Sequence, residues 1–542
     1  MDRKEVYISK EDFERIMAQG RKEDIERLFE FEMIKFKEKK IYSSQIKVLN
    51  EYVTAYNPNI EEPKKKTKEI KFDFESIKPD KEIETLEELR EIVIKYFPDS
   101  WFEFKACLST YCTLSLKNLN GCPTLILVGM PSSEKTTDES FLYGYDLSYN
   151  SDEFSPRSFV SHSASIKKEE LESVDLLPKL KDKVLITPEL APLFEAPRDK
   201  LIESLAILTR VLDGEGYNKD TGAQGHRGYS GDYKFAWLGA TTPLRNNFWN
   251  VAGKIGNRLF FLNMSEKNRN SEDYLKIFTD DQPYEEKVKI CRGAATSFLT
   301  NFFKKHNLRS ISWDNKQDVF VLKSIINYAE LLSKLRGSLV AWKNKEESKE
   351  YEHTFPIIEE PPRAINAMIN FARGHALING RDFLNSSDLE LVRRICMSSM
   401  PYDRYKFLQL LLKHEGRLTT QLIEKELNCS DETARKTMKT FQVLGVVNTK
   451  NLSLGEGRPM YYVELKDEFK ELFNHTQVEN RLENYNQSKN EGVRDNINQD
   501  NKQNKQHTQV ENRLENPFQS QNNPVSGVDF SNSNIKEVLE NE

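Results

Sequence analysis

Cysteine is scarce in this chain. Six occur in 542 residues, at Cys107, Cys112, Cys122, Cys291, Cys396 and Cys429, and none forms a C-x-x-C pair. That argues against a zinc ribbon and a disulfide framework, and for a reducing compartment. Long apolar runs are missing too. The longest, near residues 125–130, falls far short of the ~20 residues needed to cross a bilayer. The first residues, MDRKEVYISKEDFE, are charged and lack the apolar centre of a signal peptide. Nor is there an excess of positive charge: 79 Lys+Arg against 85 Asp+Glu give a net −6. A histone-like polycation is excluded, though local basic patches are not. The expectation is a soluble, cytoplasmic protein with no membrane partner.

What is present is polar for a folded protein, 38% hydrophobic and 30% charged. Real domains fit within that composition, but part of the chain is expected to be unfolded. Residues 1–82 have helical spacing, as in Phe13, Ile16 and Met17, and end in a basic linker, PKKKTKEIK. Residues 83–280 alternate strand-like and helix-like runs, and 281–400 are mainly helical. Residues 401–466 form a compact further piece. Residues 467–542 are an Asn/Gln-rich tail in which HTQVENRLEN occurs twice. Two copies are too few for a solenoid and read as duplicated low complexity.

The sharpest local signal is PTLILVGMPSSEKTT at 123–137. A buried-strand pattern leads into a turn at Gly129, and Lys135, Thr136 and Thr137 open a helix. Strand, loop and helix in this order form a phosphate cradle: backbone N–H groups and the helix start hold anions. Ser132, Ser133 and Thr137 join this candidate set. Lys135 would reach phosphate oxygens, and the Thr136 hydroxyl would ligate Mg²⁺. The pattern G-x-x-x-x-G-K-[ST] is met except at its second glycine, which is Glu134. A glutamate there adds bulk and negative charge beside an anion, so either affinity is weak or the side chain swings outward.

Three downstream segments extend the pattern. In KVLITPEL, a second buried strand is followed by Glu189, with Pro188 where a metal-supporting Asp is expected and Thr187 as a weak substitute. FAWLGATTP ends a third strand in Thr241 and Thr242. IGNRLFFL puts Arg258 just before a fourth, and PPRAINAMINFARGHALINGR puts Arg363 at a helix start.

In their order these pieces resemble the AAA+ ATPase module of minichromosome-maintenance (MCM) helicases, over roughly residues 84–400. They are also similar to little-characterised P-loop ATPases of microbes and mobile elements. The resemblance implies an α/β P-loop core (83–280) with a helical lid (281–400), using ATP and Mg²⁺. It implies that 129–136 is the Walker A loop and Glu189 the Walker B glutamate. Thr242 falls at the sensor-1 position, Arg258 at the arginine finger acting in trans, and Arg363 at the sensor-2 arginine. A homo-oligomeric, hexamer-like ring follows from the trans arginine.

Two further segments bear on DNA. Residues 210–237 are punctuated by glycines and carry alternating Tyr217, Tyr229 and Tyr233. They read as a β-hairpin with Lys219, His226 and Arg227 at its tip, at the position of the family's pore hairpin. The cations would pair phosphates and the tyrosines stack on bases. Residues 401–466 read as a winged helix. Helices are expected at 405–412, 418–427 and from Ser430 to Leu444, followed by a wing. Arg435, Lys436 and Lys439 lie on the third helix, Lys450 and Arg458 on the wing. Ten Lys/Arg against seven Asp/Glu in 404–465 favour DNA. The leading expectation is an ATP-dependent DNA translocase or helicase of replication, a mobile element or defence. The alternative is a lapsed ATPase that survives as a nucleotide-sensing DNA-binding regulator.

Overall fold

The run Thr124–Val128 (β1) is apolar from Leu125 onward and buried at every position. Such a run, without alternation, suits a strand covered on both faces. Four more strands join it: Ser148–Asn150 (β2), Val184–Thr187 (β3), Ala236–Thr241 (β6) and Phe260–Asn263 (β7). The computed structural model describes residues 82–161, 168–222, 225–265, 269–313, 318–343, 351–452 and 460–473, plus two-residue strands at Tyr7–Ile8, Lys35–Phe36 and Lys39–Lys40. The run Phe13, Ile16 and Met17 of the expected amino-terminal helices, the duplicated tail motif and Arg458 lie outside the described residues.

The five strands form one parallel sheet in the order β7-β1-β6-β3-β2. The chain leaves β1 for the far edge, returns through β3 and β6, then crosses β1 to reach β7. Connections therefore diverge between β1 and β6. A crevice opens at such a reversal, outside the carboxyl ends of the strands.

Alternate side chains feed two cores. Leu125, Leu127, Val184, Ile186, Leu238 and Leu262 face one, Ile126, Leu185, Trp237 and Phe261 the other. Each fully buried large apolar side chain contributes about 1.5–3 kcal/mol. The first core is covered by Trp101–Cys112 (α2) and a set of long helices: Tyr284–Lys305 (α6), Val319–Arg336 (α7), Pro362–Ile378 (α8) and Leu389–Ser398 (α9). α8 crosses α2 so closely that a Cβ on Gly374 would lie 2.1 Å from the Ser109 carbonyl oxygen. Arg198–Val211 (α4) and Asn246–Ile255 (α5) cover the second core. Leu86–Tyr96 (α1) packs beside α6 through Leu89 and Val93.

The hairpin is present, as Gly216–Thr221 (β4) and Gly225–Ser230 (β5). A smaller one joins Ala341–Lys343 (β8) and Tyr351–His353 (β9). The carboxyl-terminal piece runs Tyr402–Lys413 (α10), Arg417–Thr419 (β10), Thr420–Leu427 (α11), Asp431–Val443 (α12), Val447–Leu452 (β11) and Met460–Leu465 (β12). Its antiparallel sheet has the order β10-β12-β11. A helix was expected from Leu418. Instead Leu418 pairs with Val463, and α11 starts at Thr420, where the Thr419 hydroxyl accepts from the Leu422 N–H. Ser430 caps α12 as expected. Among the described residues, no helix is long and apolar enough to cross a membrane.

Candidate functional site

The turn that begins at Gly129 lies at the crevice. The Gly129 N–H donates to Thr241 O across β1 and β6 (3.2 Å). A Cβ at Gly129 would sit 2.4 Å from Ser133 Oγ, so the tight turn requires glycine. The chain then enters Lys135–Ser140 (α3). Lys135 curls back under the turn and is 7% exposed. Its Nζ donates to Gly129 O (2.8 Å), Met130 O (2.9 Å) and Ser133 Oγ (3.4 Å). Burial lowers the ammonium's pKa, and Glu189 and Glu139 oppose that shift.

Glu134 takes the left-handed conformation (φ 70°) that a glycine would adopt freely. For an L-residue this costs roughly 1–2 kcal/mol. Its carboxylate does not face the turn: it accepts from Arg269 Nη1 at 2.8 Å, and Arg269 also holds Asp99 at 2.9 Å. The acid at the loop is thus neutralised by an arginine 135 residues away. Thr136 and Ser132 are exposed and Ser133 is half-buried. Thr137 differs from expectation, because its hydroxyl is bonded to Tyr284 Oη (2.6 Å) and is turned to α6 instead of the crevice.

The neighbouring strand ends supply the rest. Glu189 is exposed just beyond β3, with Oε1 accepting from the Ala191 N–H (2.8 Å). Thr187, the weak substitute for a metal-supporting acid, is unsuitable: it is fully buried and accepts from Trp237 Nε1 (2.8 Å). Thr241 ends β6, and its buried hydroxyl has no hydrogen-bond partner. Thr242 follows, half-buried.

Three residues near this turn escaped sequence reasoning: Arg269, Asp138 and Glu139. Asp138 and Glu139 are both 0% exposed. Neither oxygen of Glu139 has a hydrogen-bond partner. Burial pushes the Glu139 carboxyl well above its ordinary pKa; Asp138 and Glu189 push the same way, while Lys135 opposes. The available signal was KTTDES itself, two adjacent acids on a helix that has to pack against the sheet.

Arg258 and Arg363 stand at the opposite pole. With Lys234, Asp213, Asn366 and Asn370 they line a cavity of about 750 Å³ beside Thr124, where β1 begins. One height of β1, ~16 Å, separates that pole from the Gly129 turn. Arg258 is bonded to Asp213 (3.1 and 3.4 Å) and to Gly256 O (3.0 Å). A Cβ on Gly256 would meet both guanidinium groups, at 3.1 and 3.5 Å. The two arginines therefore gather with each other, not with the Lys135 of their own chain. Burial, then Arg363, lowers the Arg258 pKa, and Asp213 opposes.

The expected DNA contacts need correction. Arg227 is not at the hairpin tip. It pairs in register with Lys219, is 8% exposed, and donates to Asp175 Oδ2 (2.7 Å) and to Ser161 O. Tyr229 donates to the same carboxylate (2.8 Å), and Tyr217, Tyr229 and Tyr233 pack on the second core, so none stands ready to stack on a base. Lys219 is half-exposed, and His226 is exposed beside Asp220. On α12, Arg435 is bound to Asp431 (2.7 Å), and Tyr351 of β9 donates to Glu432 O (3.0 Å), so the smaller hairpin covers the start of that helix. Lys436 is exposed and Lys439 half-buried. Lys450 is bound to Glu464.

The chain matches no protein-family model and no curated protein.

Proposed function

We propose that this chain is a P-loop nucleotide-binding protein of AAA+ type that hydrolyses ATP in an oligomer and acts on DNA, resembling MCM-type helicases. One observation carries the reading. A lysine-bearing turn begins at Gly129 in the crevice of a parallel sheet of order β7-β1-β6-β3-β2, with Glu189 in electrostatic reach of Lys135.

The residues fit a Mg²⁺–nucleotide ligand. Lys135 rests on neutral carbonyls, and a phosphate oxygen makes a stronger, charge-assisted acceptor. Thr136 presents an uncommitted, exposed hydroxyl. Arg269 draws the Glu134 charge away from the turn. A bound Mg²⁺ would neutralise phosphate charge. Glu189 would orient the attacking water, and Thr242 would sit at the end of the central strand beside it. Arg258 and Arg363, clustered at the far pole, would meet the nucleotide of a neighbouring subunit, which makes the oligomer part of the proposal. For DNA, the residues with charge to spare are Lys219 at the hairpin, and Lys436 and Lys439 on α12. The three-helix, three-strand piece that carries α12 has a winged-helix plan.

The second reading, a lapsed ATPase serving as a nucleotide-sensing DNA-binding regulator, is favoured by Pro188. An ATPase assay with and without single-stranded DNA, controlled by Lys135→Ala, separates the two. Turnover that DNA accelerates and K135A abolishes supports the motor. Nucleotide binding without turnover supports the regulator. Absence of nucleotide binding overturns both.

A further inference from the structure

The strand end that would support a divalent cation lacks its acid. Pro188 carries no ligand, and the Thr187 hydroxyl is buried against the Trp237 indole. Glu189 remains, in the place of the residue that orients water. Resting on the nucleotide-binding reading above, we propose that Glu139 on α3 is the carboxylate that supports the nucleotide's divalent cation in this chain.

Placement comes first. Glu139 lies four residues after Lys135, residues four apart share a helix face, and both are buried. It is in electrostatic reach of both Lys135 and Glu189, the two groups that bracket the phosphate end of the crevice. The second observation is independent of placement. Glu139 is 0% exposed, and both carboxylate oxygens lack a hydrogen-bond partner. Burying a carboxylate without partners is costly, and buried charges are ordinarily paired or bound to metal. A purely structural role would be better filled by an apolar side chain. Among the described residues there is no cluster of three acidic, histidine or cysteine ligands. Mg²⁺ does not need one: it keeps several waters and uses one or two carboxylates plus substrate phosphates.

The test is direct. Mn²⁺ is titrated into the full chain at saturating ADP and followed by electron paramagnetic resonance, while nucleotide affinity is measured with Mg²⁺ and in EDTA. For the wild type we expect one Mn²⁺ per bound nucleotide and at least tenfold tighter ADP binding with Mg²⁺. Glu139→Gln, the same shape without the charge, should weaken Mn²⁺ at least tenfold and erase the Mg²⁺ gain. Without metal it should melt no lower than the wild type, which shows that the variant folds. Glu139→Asp should recover part of the Mn²⁺ binding. If ADP binds, K135A loses it, and E139Q keeps full Mn²⁺ affinity, this inference falls and the nucleotide reading stands. If the wild type binds no nucleotide, both fall.

Discussion

The Gly129 crevice and the Gly216–Ser230 hairpin are both rich in charge, but they use it differently. On the hairpin the arginine's charge is already satisfied internally: Arg227 and Tyr229 share the buried Asp175 carboxylate, which also accepts from the Ser161 N–H at 2.6 Å. In the crevice, bonding capacity is left over. Glu139 has two unpartnered oxygens, Thr241 has an unpartnered hydroxyl, and Lys135 rests on carbonyls that a charged acceptor would outcompete. Saturated groups hold a fold together, whereas unsaturated ones at a crevice are held for a ligand. On that criterion the hairpin's arginine is structural, and the crevice is where the proposed ligand would bind.

The largest expected effect tests the saturated side. Asp175→Ala leaves the Arg227 guanidinium buried and unpaired, and breaking one side of a buried pair costs about 3–5 kcal/mol. Urea unfolding of D175A should show that loss. A variant as stable as wild type would return Arg227 to the candidate DNA contacts. Next, on the proposed function, Lys135→Ala would remove the charge-assisted contacts to phosphate. At about 1.5–3 kcal/mol for a hydrogen bond to a charged group, nucleotide affinity should fall tenfold or more, read by equilibrium dialysis, with little change in melting temperature.

Glu134→Gly sets two smaller terms against each other. It removes the left-handed strain and also the Arg269 ion pair, so the net stability change should stay within about 1 kcal/mol. ADP affinity should rise if the acid hinders binding despite its partner. Turnover that appears only in E134G would identify the natural chain as a binder.

The smallest effect lies far from the crevice. Hydrogen bonds from Lys450, Lys470 and Arg417 lower the Glu464 pKa to about 2. A folded-state pKa below the unfolded value of ~4.3 gives stability that is complete above pH ~4.3 and is lost as pH falls toward 2. Solvent around Arg417 and Lys450 screens much of it. Glu464→Gln should slightly flatten the acid side of the melting-temperature profile. An unchanged profile would show that screening removes the contribution altogether.

Much of the architecture was legible because it is local. The four apolar runs that end near Gly129, Glu189, Thr242 and after Arg258 all became strands. The hairpin formed where glycines and alternating tyrosines pointed to it. Arg363 opens α8, as its proline pair suggested. Side-chain destinations were less legible. Arg227 read as a tip cation because strand alternation gives two faces without saying which one finds a buried acid. Thr137 read as a phosphate contact because nothing nearby announces Tyr284, 147 residues on. Glu134 read as an intruder, with outward rotation as the open alternative; the structure has that rotation and adds Arg269 as its cause.

By itself the sequence determined where strands begin, where the loop turns and which helix follows, since short-range sterics and apolar runs carry that information. Only the tertiary structure decided which charges would be neutralised and which left unfilled. Those outcomes depend on partners such as Asp175 for Arg227 and Arg269 for Glu134, 52 and 135 residues distant. Packing brings them together, and the low dielectric of the interior then makes each pairing, or its absence, matter.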